Sequence, residues 1–284
     1  MKIMVIGNDG QLGREFGYQG IDFPEIDIAD KKSCRDVLNR YKPDVIINCA
    51  AYTAVDACES DPVCEAVNAK GPGYLAEWAT ENGAFLVHIS TDYVFSGDKP
   101  LFQVYTETDI PNPVSAYGRT KFAGEQAVFN SGADTAVLRT AWLYGVHGKN
   151  FLKTMLRLAV QNPEREIRVV NDQFGSPTWA RTLAEQISIV IERRQTGLFH
   201  ATSEEFCSWF DLASAFLQLM DVPHRISPCT TAEYPTSARR PINSILENTA
   251  LENAGINRFT DWKNDLEKFV QTHREELLVE SRGR

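Results

Sequence analysis

Tyr117 and Lys121 stand four residues apart in Tyr117-Gly118-Arg119-Thr120-Lys121. On a helix, side chains at that spacing share one face. An ammonium beside a phenol favours the phenolate and lowers the tyrosine pKa. That makes the phenol a usable proton donor near neutral pH. Tyr-x-x-x-Lys alone is a weak signal, since nine tyrosines give about half a match by chance at ordinary lysine frequency. Two further motifs supply its context. Gly7-Asn8-Asp9-Gly10-Gln11-Leu12-Gly13 follows an apolar run and precedes a helical pattern. Glycines there let the backbone turn tightly and approach a pyrophosphate, and a helix N-terminus offers free N–H groups to it. The spacing is G-x-x-G-x-x-G rather than G-x-G-x-x-G. Asp27 lies twenty residues after Gly7, where an acidic ribose ligand is expected. Ser90-Thr91-Asp92-Tyr93 follows a later apolar run. A hydroxyl at a strand's carboxyl end can hydrogen-bond a substrate carbonyl beside Tyr117.

These residues need elements to hold them. Ile3–Ile6 is a short apolar run ended by Gly7, the pattern of a buried strand. Further strands are expected at 44–48, 84–89 and 136–138, with a weak one at 21–27 broken by Pro24. Helices are expected at 10–18, at 62–81 with a break at Gly71-Pro72-Gly73, and at 115–130. Strands alternating with helices imply βαβ units, hence an α/β fold with a Rossmann-like, doubly wound parallel sheet. The second half is less regular. Helices are expected at 150–161, 180–194, 208–220 and 261–278, and strands at 167–170 and 198–200. The expected organisation is a dinucleotide-binding domain over 1–145 plus about 176–205. A smaller C-terminal α/β substrate domain would take about 146–175 and 206–284.

The 284 residues carry 29 Lys and Arg against 38 Asp and Glu, a net charge of −9. A nucleic-acid or anionic-membrane binder needs a basic field, so neither partner is expected. No apolar run approaches membrane-spanning length, and the N-terminus enters a strand at once without a basic leader. The six cysteines, at 34, 49, 58, 64, 207 and 229, form no Cys-x-x-Cys and have no histidine at zinc spacing. They read as reduced, packed thiols of a cytoplasmic protein.

The order strand, GxxGxxG, Ser/Thr after a later strand, then Tyr-x-x-x-Lys resembles the extended short-chain dehydrogenases/reductases. Within them the chain resembles the dTDP-4-dehydrorhamnose reductase family most closely. The resemblance rests on Gly10-Gln11-Leu12-Gly13, Cys49-Ala50-Ala51-Tyr52-Thr53-Ala54-Val55-Asp56, the stretch 90–95, Arg139-Thr140-Ala141-Trp142, Asn150-Phe151, the stretch 171–178 and Arg240-Pro241-Ile242-Asn243-Ser244. It spans nearly the whole chain.

The resemblance implies an NADPH- or NADH-dependent reduction of the 4-keto group of dTDP-4-dehydro-L-rhamnose by a monomer or homodimer. Gly7, Gly10, Gln11, Leu12 and Gly13 would hold the pyrophosphate, and Asp27 and Ile28 would border the adenosine. Ala50, Ala51 and Tyr52 would line the nicotinamide ribose. Thr91 and Asp92 would touch the sugar, with Thr91 assisting catalysis. Tyr117 would give its proton to the C4 oxygen. Lys121 would bind the ribose and lower the Tyr117 pKa. Trp142 offers a flat apolar face to the deoxysugar. Arg239 and Arg240 are candidates for the diphosphate, a surface salt bridge being the alternative for either. Asp27 favours NAD over NADP, while Arg14, Lys31, Lys32 and Arg35 could offset it. Some relatives look like Mg²⁺-dependent dimers with interface glutamates. Glu15 and Glu185 fall at plausible positions, but helix carboxylates are usually just solvated, so no metal is assigned.

Other functions fit parts of the pattern. A sugar-nucleotide 4,6-dehydratase would carry a Thr-Asp-Glu, and Tyr93 stands where that Glu belongs. Another nucleotide-sugar reductase or an epimerase is less firmly set aside. A non-catalytic, NADP-binding regulatory subunit like methionine adenosyltransferase β would not need Thr91, Tyr117, Lys121 and Trp142 together.

Overall fold

A computed structural model of the chain describes residues 1–283. The apolar runs of the first half become β1 (Ile3–Ile6), β2 (Gln19–Ile21), β3 (Val45–Asn48), β4 (Phe85–Thr91) and β5 (Thr135–Thr140). With β10 (Gly197–His200) they form a sheet in the order β10-β5-β4-β3-β1-β2, every neighbouring pair parallel. The order reverses between β1 and β3, the switch point at which open α/β sheets place their ligand crevice. The register aligns the strand ends there, with Ile6 opposite Asn48 and Asn48 opposite His88.

Successive side chains of a strand point to opposite faces, and both faces are apolar here. Val5, Ile47, Val87 and Leu138 join one core with α6 (Ala180–Glu192), Leu251 of α8 (Thr249–Asn253) and Phe259. Met4, Ile6, Ile46, Leu86 and Val137 join the other with α1 (Lys31–Tyr41), α3 (Gly71–Asn82) and Val128 of α4 (Ala116–Asn130). A third core unites α5 (Phe151–Gln161), α7 (Trp209–Leu219) and α9 (Trp262–Ser281). Short strand pairs border it: β6 (Leu143–Tyr144) with β9 (Thr178–Trp179), β7 (Glu166–Val170) with β12 (Arg225–Cys229), and β8 (Phe174–Gly175) with β11 (Cys207–Ser208).

Four expectations need correction. The helix over 10–18 is only a short turn at Gly13–Glu15, because the glycine loop uses up the preceding residues. The weak strand over 21–27 is β2, three residues ending at Ile21, and the chain turns at a cis Phe23-Pro24 bond. Helix α1 is not evident in the sequence: Asp30 caps it by accepting from Lys32 N, and it buries only Cys34, Val37 and Leu38. The break at 71–73 is a helix start. A short α2 (Val63–Glu65) and a wide turn at Ala66–Lys70 lead directly into α3. Pro72 is tolerated in the first turn, where its missing N–H costs nothing. A Cβ on Gly71 would lie 2.8 Å from the Ile28 carbonyl oxygen.

The cysteines depart too. Cys58 and Cys64 form a disulfide with Cα atoms 5.3 Å apart, while Cys34, Cys49, Cys207 and Cys229 are free thiols. The turn between the short helix Ala57–Glu59 and α2 brings this pair within bonding reach. Among the described residues, no helix is long and apolar enough to cross a membrane.

Candidate active site

Helix α4 begins where β4 ends. Ser115 caps it, accepting from Gly118 N at 3.1 Å. Gly118 leaves no room for a side chain, since a Cβ would run into the Tyr93 carbonyl. The first turn of α4 therefore lies against residues 92–94, and Tyr117 meets Tyr93 edge to face at 5.6 Å. One turn on, the Lys121 ammonium is buried and donates to the Ile89 carbonyl at 2.6 Å. The Thr91 hydroxyl accepts from Tyr93 N at 3.2 Å and donates to Asp92 Oδ1 at 2.9 Å. Tyr117, Lys121, Thr91 and Asp92 thus line one cleft.

Burial governs their protonation. It pushes the Tyr117 phenol up to about 12, with the nearby Asp92 charge adding to the rise and a Thr91 hydrogen bond opposing it. Lys121 was expected to lower this pKa; burial and the Asp92 charge raise it instead. Burial also pushes Lys121 down to about 8 against the raising influence of Glu125. The Asp92 carboxyl is raised to about 6, again by burial, and its Oδ2 has no partner among the described residues.

The glycine loop forms the adjoining wall. Gly7 has φ +82°, and a Cβ there would lie 2.5 Å from Ala50 N. A Cβ on Gly13 would collide with the Gly7 carbonyl. The loop is folded onto itself and onto the residues after β3, with Gly10 N bonded to Gly7 O at 3.2 Å. Gln11 and Leu12 line the cleft, and their amides have no partner among the described residues. That concave run of backbone donors is a nest for phosphate oxygens, although no long helix stands behind it.

Opposite lies an aromatic wall. Trp142 adopts φ +47° and stacks on Trp209 with centroids 3.5 Å apart and planes 7° off parallel. Trp209 in turn meets Phe151 at 4.6 Å. A Cβ on Gly175 would come within 2.6 Å of the Trp142 ring, so the slot requires glycine there. Asn150 caps α5 and donates to Gln11 Oε1 at 2.9 Å, joining this wall to the glycine loop. The cleft between the walls encloses about 660 Å³.

The sequence of this two-walled cleft matches a known family model, described as the RmlD substrate binding domain, over residues 1–275. The chain belongs to that family. It is 41% identical to the dTDP-4-dehydrorhamnose reductase of Burkholderia thailandensis over an alignment of 290 positions, covering 93% of this chain and 96% of the relative. The crystal structure of a dTDP-4-dehydrorhamnose reductase from Clostridium acetobutylicum superimposes with a TM-score of 0.91 at 40% identity, covering 96% of this chain and 99% of that one. The Bacillus anthracis enzyme, solved in complex with NADP, gives 0.90 at 36% identity, covering 96% and 100%.

Several expected site residues of this RmlD-family chain lie outside the cleft lining. Gly7 and Ala50 are packed beneath it, leaving Gly10, Gln11, Leu12, Gly13 and Ala51 on its surface. Asp27 and Ile28 lie beyond β2 against the start of α1, with Asp27 N bonded to the Ser33 hydroxyl at 2.9 Å. The acid at the carboxyl end of β2 is Asp22, whose Oδ2 holds Asp9 N in the glycine loop at 2.8 Å. Reading 21–27 as one strand hid it. The Tyr52 hydroxyl turns away to donate to Asp61 at 2.7 Å.

Arg240 pairs with Asp56 at 2.7 Å, and Arg239 approaches Asp98 at 3.9 Å. Glu15 is half-buried, its carboxyl raised by burial, and Glu185 pairs with Arg181 and Arg258. Among the described residues no three His, Cys, Asp or Glu side chains cluster as a metal would require. Trp209 had no warning in the sequence beyond an aromatic residue one position after the N-cap Ser208.

Proposed function

We propose that this protein reduces the 4-keto group of dTDP-4-dehydro-L-rhamnose to dTDP-L-rhamnose with NAD(P)H. The observation that carries the reading is the convergence of Tyr117, Lys121 and Thr91 on a cleft bounded by the glycine loop and the stacked tryptophans. The family's dTDP-4-dehydrorhamnose reductases supply the substrate, and the NADP complex of the Bacillus anthracis enzyme supports a nicotinamide dinucleotide.

The residues fit such a dinucleotide. The Gln11 and Leu12 amides are free for the pyrophosphate, and Gly10 leaves the approach to them open, with only the Gly7 carbonyl near a Cβ placed there. Ala51 is small enough for close approach to the nicotinamide ribose. NAD(P)H supplies the hydride for C4 when bound. Lys121 holds the ribose and presents positive charge beside Tyr117. The Thr91 hydroxyl orients the C4 carbonyl oxygen. Tyr117 is fully protonated at neutral pH, given a pKa near 12, so its proton is available to the C4 oxygen as negative charge develops there. Lys121 and Thr91 then stabilise the phenolate. Asp92 hydrogen-bonds the sugar and Trp142 covers its apolar face, while Arg240, paired with Asp56, exchanges that partner for the diphosphate.

We assign 1–145 with about 176–205 to the dinucleotide unit and the rest to the substrate unit; the third core of α5, α7 and α9 supports the division, while Leu251 and Phe259 pack on the sheet. A cytoplasmic location suits a biosynthetic reductase of this kind. The test is absorbance-followed oxidation of NADPH and of NADH, with dTDP-4-dehydro-L-rhamnose generated in situ from dTDP-glucose. Oxidation with formation of dTDP-L-rhamnose is expected. Tight dinucleotide binding without oxidation would overturn the substrate assignment.

A further inference from the structure

Three successive residues of β4 meet three positions on one face of α4. The Ile89 carbonyl accepts from Lys121, the Ser90 hydroxyl donates to Glu125, and Thr91 lies by Tyr117. Tyr117, Lys121 and Glu125 recur every fourth residue, so they rise along one helical face. The catalytic pair therefore continues into a third, buried member that the reaction itself does not touch.

Glu125 is fixed in a buried ion pair. Arg139 on β5 grips it with two donors, Nε to Oε1 at 2.9 Å and Nη2 to Oε2 at 2.7 Å, and both side chains are 2% exposed. Arg139 also lies over the Phe95 ring at 5.1 Å. The remaining groups facing Lys121 carry no compensating charge. His88 on β4 is kept neutral by burial and by Lys121 itself. Cys49, after β3, is kept a neutral thiol by burial. Tyr117, on its own helix, is a neutral phenol.

Stability alone does not account for the pair, because a buried ion pair often gives no more stability than apolar side chains of similar size. We propose that the buried Glu125–Arg139 pair is a positioning device for Lys121, placing a fixed carboxylate one helical turn behind the ammonium and locking that face of α4 to β4. The ammonium is thereby aimed along the cleft, and the carboxylate that favours its charged form stays buried behind it. Arg139 fixes Glu125 in place through two hydrogen bonds, and Ser90 sets the carboxylate's rotation.

The inference rests on the reductase reading, and the test separates the two. The pH dependence of kcat/KM for the ketosugar, and of the Kd for NADP, is measured on the wild type, Glu125→Gln, Glu125→Asp and the double variant Glu125→Leu/Arg139→Leu. Loss of wild-type activity and affinity is expected as pH rises through about 8, where Lys121 loses its proton. In Glu125→Gln that limb moves down by about one pH unit, the usual size for loss of a nearby opposite charge. Glu125→Asp restores most of it. The double variant removes both members of the buried pair, circular dichroism checks that it folds, and its limb also moves down, by less. A folded Gln or double variant with the wild-type limb in both measurements would overturn the proposal. If the wild type failed to reduce the ketosugar, the reductase reading would fall, and the NADP limb would still decide the role of Glu125.

Discussion

The wall made by Gly10, Gln11, Ala51, Thr91 and Tyr117 hangs from the ends of neighbouring strands, whereas the wall made by Trp142, Asn150, Phe151 and Trp209 is assembled across the third core. In the first wall Gly10, Gln11, Ala51 and Thr91 each sit within a few positions of a buried apolar run, and Tyr117 joins them from the first turn of α4. The sheet's register alone brings Ile6, Asn48 and His88 level, so the loops leaving those strand ends must meet. In the second wall, Trp142 and Trp209 meet only because α5, α7 and α9 pack together and Gly175 clears the ring. Chemistry placed by the sheet is fixed by local sequence. Apart from the Asn150–Gln11 bond, long-range packing places the second wall independently of the first.

Variants in the first wall should therefore damage the reaction or the dinucleotide, and variants in the second only the sugar. The largest effect is expected for Tyr117→Phe. Turnover should fall by about 10²–10⁴-fold, the size of a general-acid contribution, with NADP affinity retained in a binding titration. Near-normal turnover would remove Tyr117 as the acid. Gly10→Val places a branched side chain over the Gln11 and Leu12 amides, so dinucleotide affinity should fall by roughly 100-fold, about 2.7 kcal/mol, while circular dichroism stays unchanged.

Asp92 sharpens the comparison through stability. Its folded pKa of about 6 lies above its unfolded value, so its contribution is fully present below about pH 4 and lost as pH rises through 6. Asp92→Asn should match wild type in thermal melts near pH 4 and exceed it by roughly 3 kcal/mol at pH 7; equal stability at both would show that the carboxyl is not desolvated. The smallest effect is expected in the aromatic wall. Trp142→Ala or Trp209→Ala should raise KM for the nucleotide sugar by about 10-fold, in line with the loss of one aromatic contact, and leave the Kd for NADP alone. A change in NADP affinity instead would show that the walls are not independent.

The same division explains what could be read from the sequence. The strands after which Gly7, Ala50 and Thr91 fall are short apolar runs, and the Tyr117–Lys121 spacing is that of a helix. These signals are local. Helix α1 escaped because it buries only three residues, and Asp22 escaped because β2 is only three residues long. Trp209, the Asn150–Gln11 bond and the Glu125–Arg139 pair join residues well separated in the chain, and no spacing rule connects them. Arg240 was legible as a cation but not as the partner of Asp56, 184 residues away. Cys58 and Cys64 stand six residues apart, and the helical turn that brings them together has no signature in the sequence.

In the proposed reaction Tyr117 protonates the C4 oxygen while the hydride is delivered to C4 itself. Deuterium at the transferable position of NADPH follows the hydride, by nuclear magnetic resonance of the sugar product. One deuterium is expected, on C4 of dTDP-L-rhamnose, with almost none formed by Tyr117→Phe over the same time. Deuterium at another carbon, or an unlabelled product, would contradict it.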